Sequence, residues 1–123
     1  MSILDFFNLW TSRIRSHKFY QNAEVVDVDW GYSWCHEYPD LYFARLRTFS
    51  NGKADVLFQD ETKSYGFDTR TYAANFISED EFSRFVNIDE EDRHDLGIPI
   101  DTTVTAPDWE AKEAIDFEYI GEY

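Results

Sequence analysis

The dipeptide Asn51-Gly52 constrains the fold of this chain more than any other feature. Both residues tolerate the positive φ of a tight antiparallel turn, and runs of apolar residues flank them on either side. Leu41–Phe49 and the residues from Ala54 to Phe58 are therefore read as two strands of a hairpin. A two-residue loop sets Phe49 opposite Ala54, Arg47 opposite Val56, Leu46 opposite Leu57 and Arg45 opposite Phe58. The neighbouring segments widen this hairpin into a meander. From Val26 to Trp34 the even positions are apolar (Val26, Val28, Trp30, Tyr32, Trp34), while Asp27, Asp29 and Ser33 alternate with them. That is the period of a half-buried strand. Ser64–Ala74, with Tyr65, Phe67 and Thr69 on one face, is expected to be a third meander strand.

Helical spacing occurs at both ends of this sheet region. Ile3, Phe6, Phe7, Trp10 and Ile14 recur at three- and four-residue intervals. Ser2 caps them, and Arg13, Arg15 and Lys18 suit the negative end of the helix dipole. Ser78-Glu79-Asp80-Glu81 matches a capping box and predicts a short helix from Glu79 that carries Phe82, Phe85 and Val86. A further helical turn over Asp89–Asp95 stops at Gly97, with Pro99 beyond it. Residues 108–114 read as a turn or short helix, and Ile115, Phe117 and Tyr119 alternate with acids as a terminal strand that joins the sheet. The fold class is α+β: an N-terminal amphipathic helix on an antiparallel meander, one or two short helices after it, and an acidic C-terminal segment ending in a strand.

Size and composition fit one domain over residues 1–123. Leu, Ile, Val and Phe supply 31 of the 123 residues, above the roughly one-fifth below which charged chains stay unfolded. A single cysteine rules out an internal disulfide. No apolar run reaches the ~18 residues of a membrane span. The basic residues Arg13, Arg15 and Lys18 follow the first apolar stretch rather than precede it, the reverse of a secretory signal, so the expected location is the cytoplasm.

Charge carries the functional reading. There are 25 acids against 11 bases, a net charge of −14. Residues 71–123 hold fifteen of the acids and three of the bases. Such a surface repels nucleic acid and anionic lipid and attracts basic proteins.

Catalytic and metal-binding patterns are weak. Cys35 and His36 are adjacent on a strand and so point to opposite faces, which prevents their pairing as nucleophile and base. His17 or His94 could reach Cys35 only through the fold. Asp89–Asp95 is dense in carboxylates, but it has His94 where a calcium loop needs glycine. The cysteine and histidine spacings of a zinc site are absent. The five glycines are scattered singly, so no phosphate-cradling loop can be written. No enzyme, metal or cofactor is expected; a small enzyme using Cys35 and His36 is the least favoured reading.

What remains is an acidic surface with aromatics set among the acids. The expected partner-binding residues are Glu90, Glu91, Asp92, Asp95, Asp108, Trp109, Glu110, Glu113, Asp116 and Glu118. Carboxylates steer a basic partner at long range, and aromatic anchors lock it by contact. The expected activity is stoichiometric inhibition of a basic protein, such as a nuclease or another nucleic-acid-binding protein, with the acids imitating a duplex. The alternative is an accessory or assembly factor of a larger complex. Ile115–Tyr123 could also pair across a two-fold axis to build a homodimer.

Overall fold

In the computed structural model, residues 17–123 are described; the expected helix running from Ser2 through Ile14 lies outside them. The described chain is α+β, with a six-stranded, mostly antiparallel sheet and two α-helices. In chain order the elements are β1 (Val25–Ser33), β2 (Phe43–Phe49), β3 (Ala54–Phe58), β4 (Lys63–Phe67), α1 (Arg70–Glu79), β5 (Phe82–Arg84), a 3₁₀ turn (Phe85–Asn87), α2 (Glu90–Asp95) and β6 (Asp116–Gly121). Across the sheet the strand order is β5-β1-β2-β3-β4-β6.

The hairpin forms where Asn51-Gly52 predicts it, but one residue out of the expected register. Its loop has three residues. The Phe49 N–H donates to the Lys53 carbonyl at 2.8 Å, and the Gly52 N–H to the Phe49 carbonyl at 2.9 Å. Gly52 takes φ +85°, the left-handed position of a bulged turn that glycine fills without strain. Asn51 Oδ1 accepts from the Lys53 N–H at 3.0 Å and braces that geometry. Thr48 therefore faces Ala54, Arg47 faces Asp55, Leu46 faces Val56 and Arg45 faces Leu57. A one-residue slip exchanges the faces of a strand. Here it sets an arginine against an aspartate where the two-residue loop would set it against a valine.

Two further expectations are corrected. The strand from Ser64 ends at Phe67, not Ala74, because Thr69 caps a helix: its side chain accepts from the Tyr72 N–H and α1 begins at Arg70. Tyr72, Ala73, Phe76 and Ile77 then follow helical rather than alternating spacing. The capping-box pattern at residues 78–81 starts no helix. It lies at the end of α1, where Glu81 adopts φ +66° and turns the chain into β5. Asp89–Asp95 does form a helix, with a reciprocal capping box between Asp89 and Asp92, and it stops before Gly97 at φ +73°. Residues 108–114 are turn and irregular chain. The terminal strand joins the sheet as expected, but β6 pairs with β4 in parallel.

Both faces of the sheet are covered. On one, Ala73 and Ile77 of α1 pack on Ala44, Leu46, Ala54, Val56, Phe58, Phe67 and Phe82. On the other, Phe19, Tyr20 and Ala23 pack with Phe49 and Phe117, while Leu96 and Ile98 pack on Tyr32 and Phe43. Non-regular chain thus does on the second face what a helix does on the first.

Candidate functional site

The second face buries charge. Arg45, Arg47 and Asp55 are fully enclosed. Arg47 forms a two-pronged bond to Asp55, Nε to Oδ1 at 3.0 Å and Nη2 to Oδ2 at 2.7 Å, and pairs with Glu113 at 3.2 Å. Hydrogen bonding and the charge of Asp55 raise the Arg47 pKa despite its burial. Tyr20 donates to Asp55 Oδ2 at 2.8 Å; burial, and then Asp55, holds its phenol well above the ordinary range. Arg45 Nη1 gathers the carbonyls of Trp109, Glu110 and Lys112 at 2.9, 3.3 and 2.5 Å. The Trp109 ring lies 5.7 Å from its guanidinium carbon. Burial, then the neighbouring Arg47, pushes Arg45 down to about 10, which still leaves it charged at neutral pH. This network fastens residues 109–113 to the sheet.

That arrangement sorts the expected partner-binding residues. Trp109 and Glu113 are half-buried and committed to the interior: Trp109 packs edge-on against Trp30 at 4.6 Å between ring centres, and Glu113 bonds Arg47. Asp108 and Glu110 are exposed on the loop that Arg45 pins. Asp116 and Glu118 are exposed on β6, with Glu118 3.4 Å from Lys63. Glu90, Glu91 and Asp95 are exposed on α2, and Asp92 is half-buried. β5 and β6 are the two edges of the sheet, and five strand spacings of ~4.8 Å set them about 24 Å apart. Asp116 and Glu118 on β6 are thus set well apart from β5, while Asp108 and Glu110 lie on the loop that Arg45 of the central strand β2 pins.

The α2 group meets aromatic surface at the end of β1. Tyr32, Trp34, Ser83, Asp92, Asp95 and Leu96 line a notch of about 300 Å³. Trp34 is 57 % exposed, yet its indole N–H is fixed to Ser83 Oγ at 2.7 Å. Its ring is thus oriented without being buried. Burial, then the charges of Asp92 and Asp89, raise the pKa of Tyr32. Asp92 is held by the capping box. Among the described residues, the cation paired with Asp95 is His94, at 3.8 Å and only when protonated. An oriented indole beside carboxylates is suited to a lysine or arginine side chain, which ring and acids attract together. Trp34 and Tyr32 were not among the expected binding residues. Their alternation marks them as strand residues, and only the end of β1 at Ser33 separates exposed Trp34 from buried Tyr32.

Cys35 lies beside this notch. It is exposed and donates its S–H to Glu81 Oε2 at 2.6 Å, and that bond pushes the thiol pKa up. His36 stacks on Tyr42 at 4.9 Å and bonds Ser33 Oγ. His17 sits against Phe117. No hydrogen bond joins Cys35 to a histidine among the described residues. Among the described residues, no group of three or more His, Cys, Asp or Glu is placed to hold a metal ion, and no helix is long and apolar enough to cross a membrane.

The chain matches no known family model, curated protein or solved structure.

Proposed function

We propose that this protein is a non-enzymatic binder of a basic protein surface, acting as a stoichiometric inhibitor that docks through the Trp34 notch and the carboxylates of α2. The observation that carries the reading is the exposed Trp34 indole, held by Ser83, beside Asp92 and Asp95. An interface needs a few rigid anchors in a charged surround, and an aromatic ring that already has its orientation loses little entropy on binding. The remaining acids, Asp108, Glu110, Asp116 and Glu118 among them, supply the field that steers a basic partner into place. The raised thiol pKa of Cys35 speaks against its use as a nucleophile.

The test follows the Trp34 indole N–H by NMR while an Arg- and Lys-rich peptide is added. Saturable shifts confined to Trp34, Tyr32 and α2, and lost in Glu90→Gln/Glu91→Gln/Asp95→Asn, are the expected result. Shifts spread evenly over the surface, or unchanged in that variant, would refute the site. Capture from lysate at low salt, with elution by a salt gradient, then separates the roles. A partner displaced by DNA or RNA is one whose nucleic-acid site is blocked, whereas indifference to nucleic acid marks an accessory role.

A further inference from the structure

The opposite face of β1 carries a second feature, unrelated to the acids of α2. In a chain of net charge −14, two arginines converge on one carboxylate. Arg70 Nη2 and Arg84 Nε each donate to Asp29 Oδ2 at 2.8 Å, while Asp29 Oδ1 accepts from the Trp30 N–H at 3.0 Å. A guanidinium carries five N–H groups, so among the described residues most donors of both arginines remain unspent, and the trio holds one surplus positive charge. Asp29 is the more enclosed partner, at 14 % side-chain exposure against 39 % for Arg70 and 55 % for Arg84.

These three residues edge a cavity of about 340 Å³ between β1, β5 and α1. Leu46, Ala74, Ile77 and Phe82 form its apolar lining, and Asn75 and Ser78 add polar groups. An apolar hollow with a few convergent polar groups is the ordinary form of a small-molecule site, and this one falls within the usual size of about 300–1,000 Å³. A structural ion pair would need only one arginine on Asp29. The second arginine brings net positive charge to the mouth of an apolar hollow, and the planar guanidinium fork matches a carboxylate. The apolar lining selects an anion that carries an apolar body over a bare one.

We infer that this cavity binds an organic carboxylate with a compact apolar body, its carboxylate on Arg70 and Arg84 and its body against Leu46, Ile77 and Phe82. Asp29 then has two roles. It holds the two guanidinium groups in place, and it competes with the ligand for them.

Phenylacetate is the probe, followed through the methyl NMR signals of Leu46 and Ile77 in the full chain, with phenylacetamide as its uncharged counterpart. Phenylacetate is expected to shift both signals saturably and phenylacetamide to bind at least about tenfold more weakly. Arg70→Gln/Arg84→Gln should weaken binding by a similar factor. Arg84→Gln alone, at an exposed position on a short edge strand, supplies the test if the double variant does not fold. Asp29→Asn should tighten binding about threefold or more, because a competing charge is removed while both arginines stay. A merely structural trio predicts loss in every variant, so the opposite sign in Asp29→Asn is decisive. Absence of a saturable shift by about 10 mM phenylacetate, equal binding of the amide, weaker binding in Asp29→Asn, or a response to inorganic phosphate without one to phenylacetate would each overturn the inference.

Discussion

Replacing Asp55 with leucine tests the energetics of the buried face most directly. Asp55 and Arg47 have side-chain exposures of 0 % and 1 %, so water cannot take over the bonds that either loses. Removing one partner of a buried pair costs about 3–5 kcal/mol, because the other charge is left behind. Two local features adjust that figure in opposite directions. Glu113 remains 3.2 Å from Arg47 with 23 % of its side chain exposed and keeps part of the charge compensated. The Tyr20 hydroxyl loses its bond to Asp55, a further loss of about 1 kcal/mol. The net expectation for Asp55→Leu is about 3–4 kcal/mol, or a fall of roughly 10–20 °C in melting temperature for a domain of this size. Arg47→Met/Asp55→Leu removes both charges and should cost about 2 kcal/mol less than Asp55→Leu alone, since apolar pairs replace buried ion pairs at little penalty. Urea unfolding of the single and double variants, with the slope m checked for constancy, measures the difference. If the double variant is as unstable as the sum of the two singles, the two groups are not coupled and the argument fails.

Gly66 and Tyr20 give two further tests. A Cβ at Gly66 would lie 2.5 Å from Phe117 Cζ and 2.9 Å from Phe19 Cζ; Gly66→Ala should cost about 1–3 kcal/mol, and adding Phe117→Ala should recover part of that loss. No such recovery in urea unfolding would mean that the close approach of Phe117 is not the cause. The folded Tyr20 phenol titrates well above its ordinary value of 10.0. Its contribution to stability is therefore complete below pH 10 and is lost as pH rises beyond it, by up to about 1.4 kcal/mol per pH unit. Tyr20→Phe should flatten the fall in stability above pH 10, leaving the contributions of the other raised phenols, among them Tyr42, raised by burial and by its bond to Asp60. An unchanged alkaline slope would remove Tyr20 from the account.

The residues themselves explain which features could be read from the sequence. The alternation from Val26 to Tyr32, the Asn51-Gly52 turn and the Asp89–Asp95 run that stops at Gly97 are local signals, and each led to an element of the expected kind. The errors came where one signal serves two geometries. Asn51-Gly52 fits a three-residue loop with Gly52 left-handed as well as it fits a two-residue one, and only contacts across the sheet choose between them. Among those contacts, Asn51 Nδ2 donates to the Phe19 and Tyr20 carbonyls at 3.2 and 3.1 Å, from residues far off in sequence. Ser78-Glu79-Asp80-Glu81 has the composition of a helix start but stands at a helix end, because Thr69 had already capped α1 nine residues earlier. The Trp34 notch needed the fold. Trp34, Ser83 and Asp92 come from three separate elements, and neither spacing nor charge along the chain brings them together.

The parallel pairing of β4 with β6 sets an order of events during synthesis. β4 is complete at Phe67, yet its outer neighbour begins only at Asp116. Arg45, already made in the centre of the sheet, waits for the carbonyls of residues 109–112. Until those residues emerge from the ribosome, the nascent chain presents an open strand edge and two arginines whose final partners include groups not yet synthesised. Pairing across such a long sequence separation is slow. Residues 109–121 thus complete the sheet after its centre is made, and a nascent or truncated chain lacking them is the form most exposed to aggregation or chaperone capture.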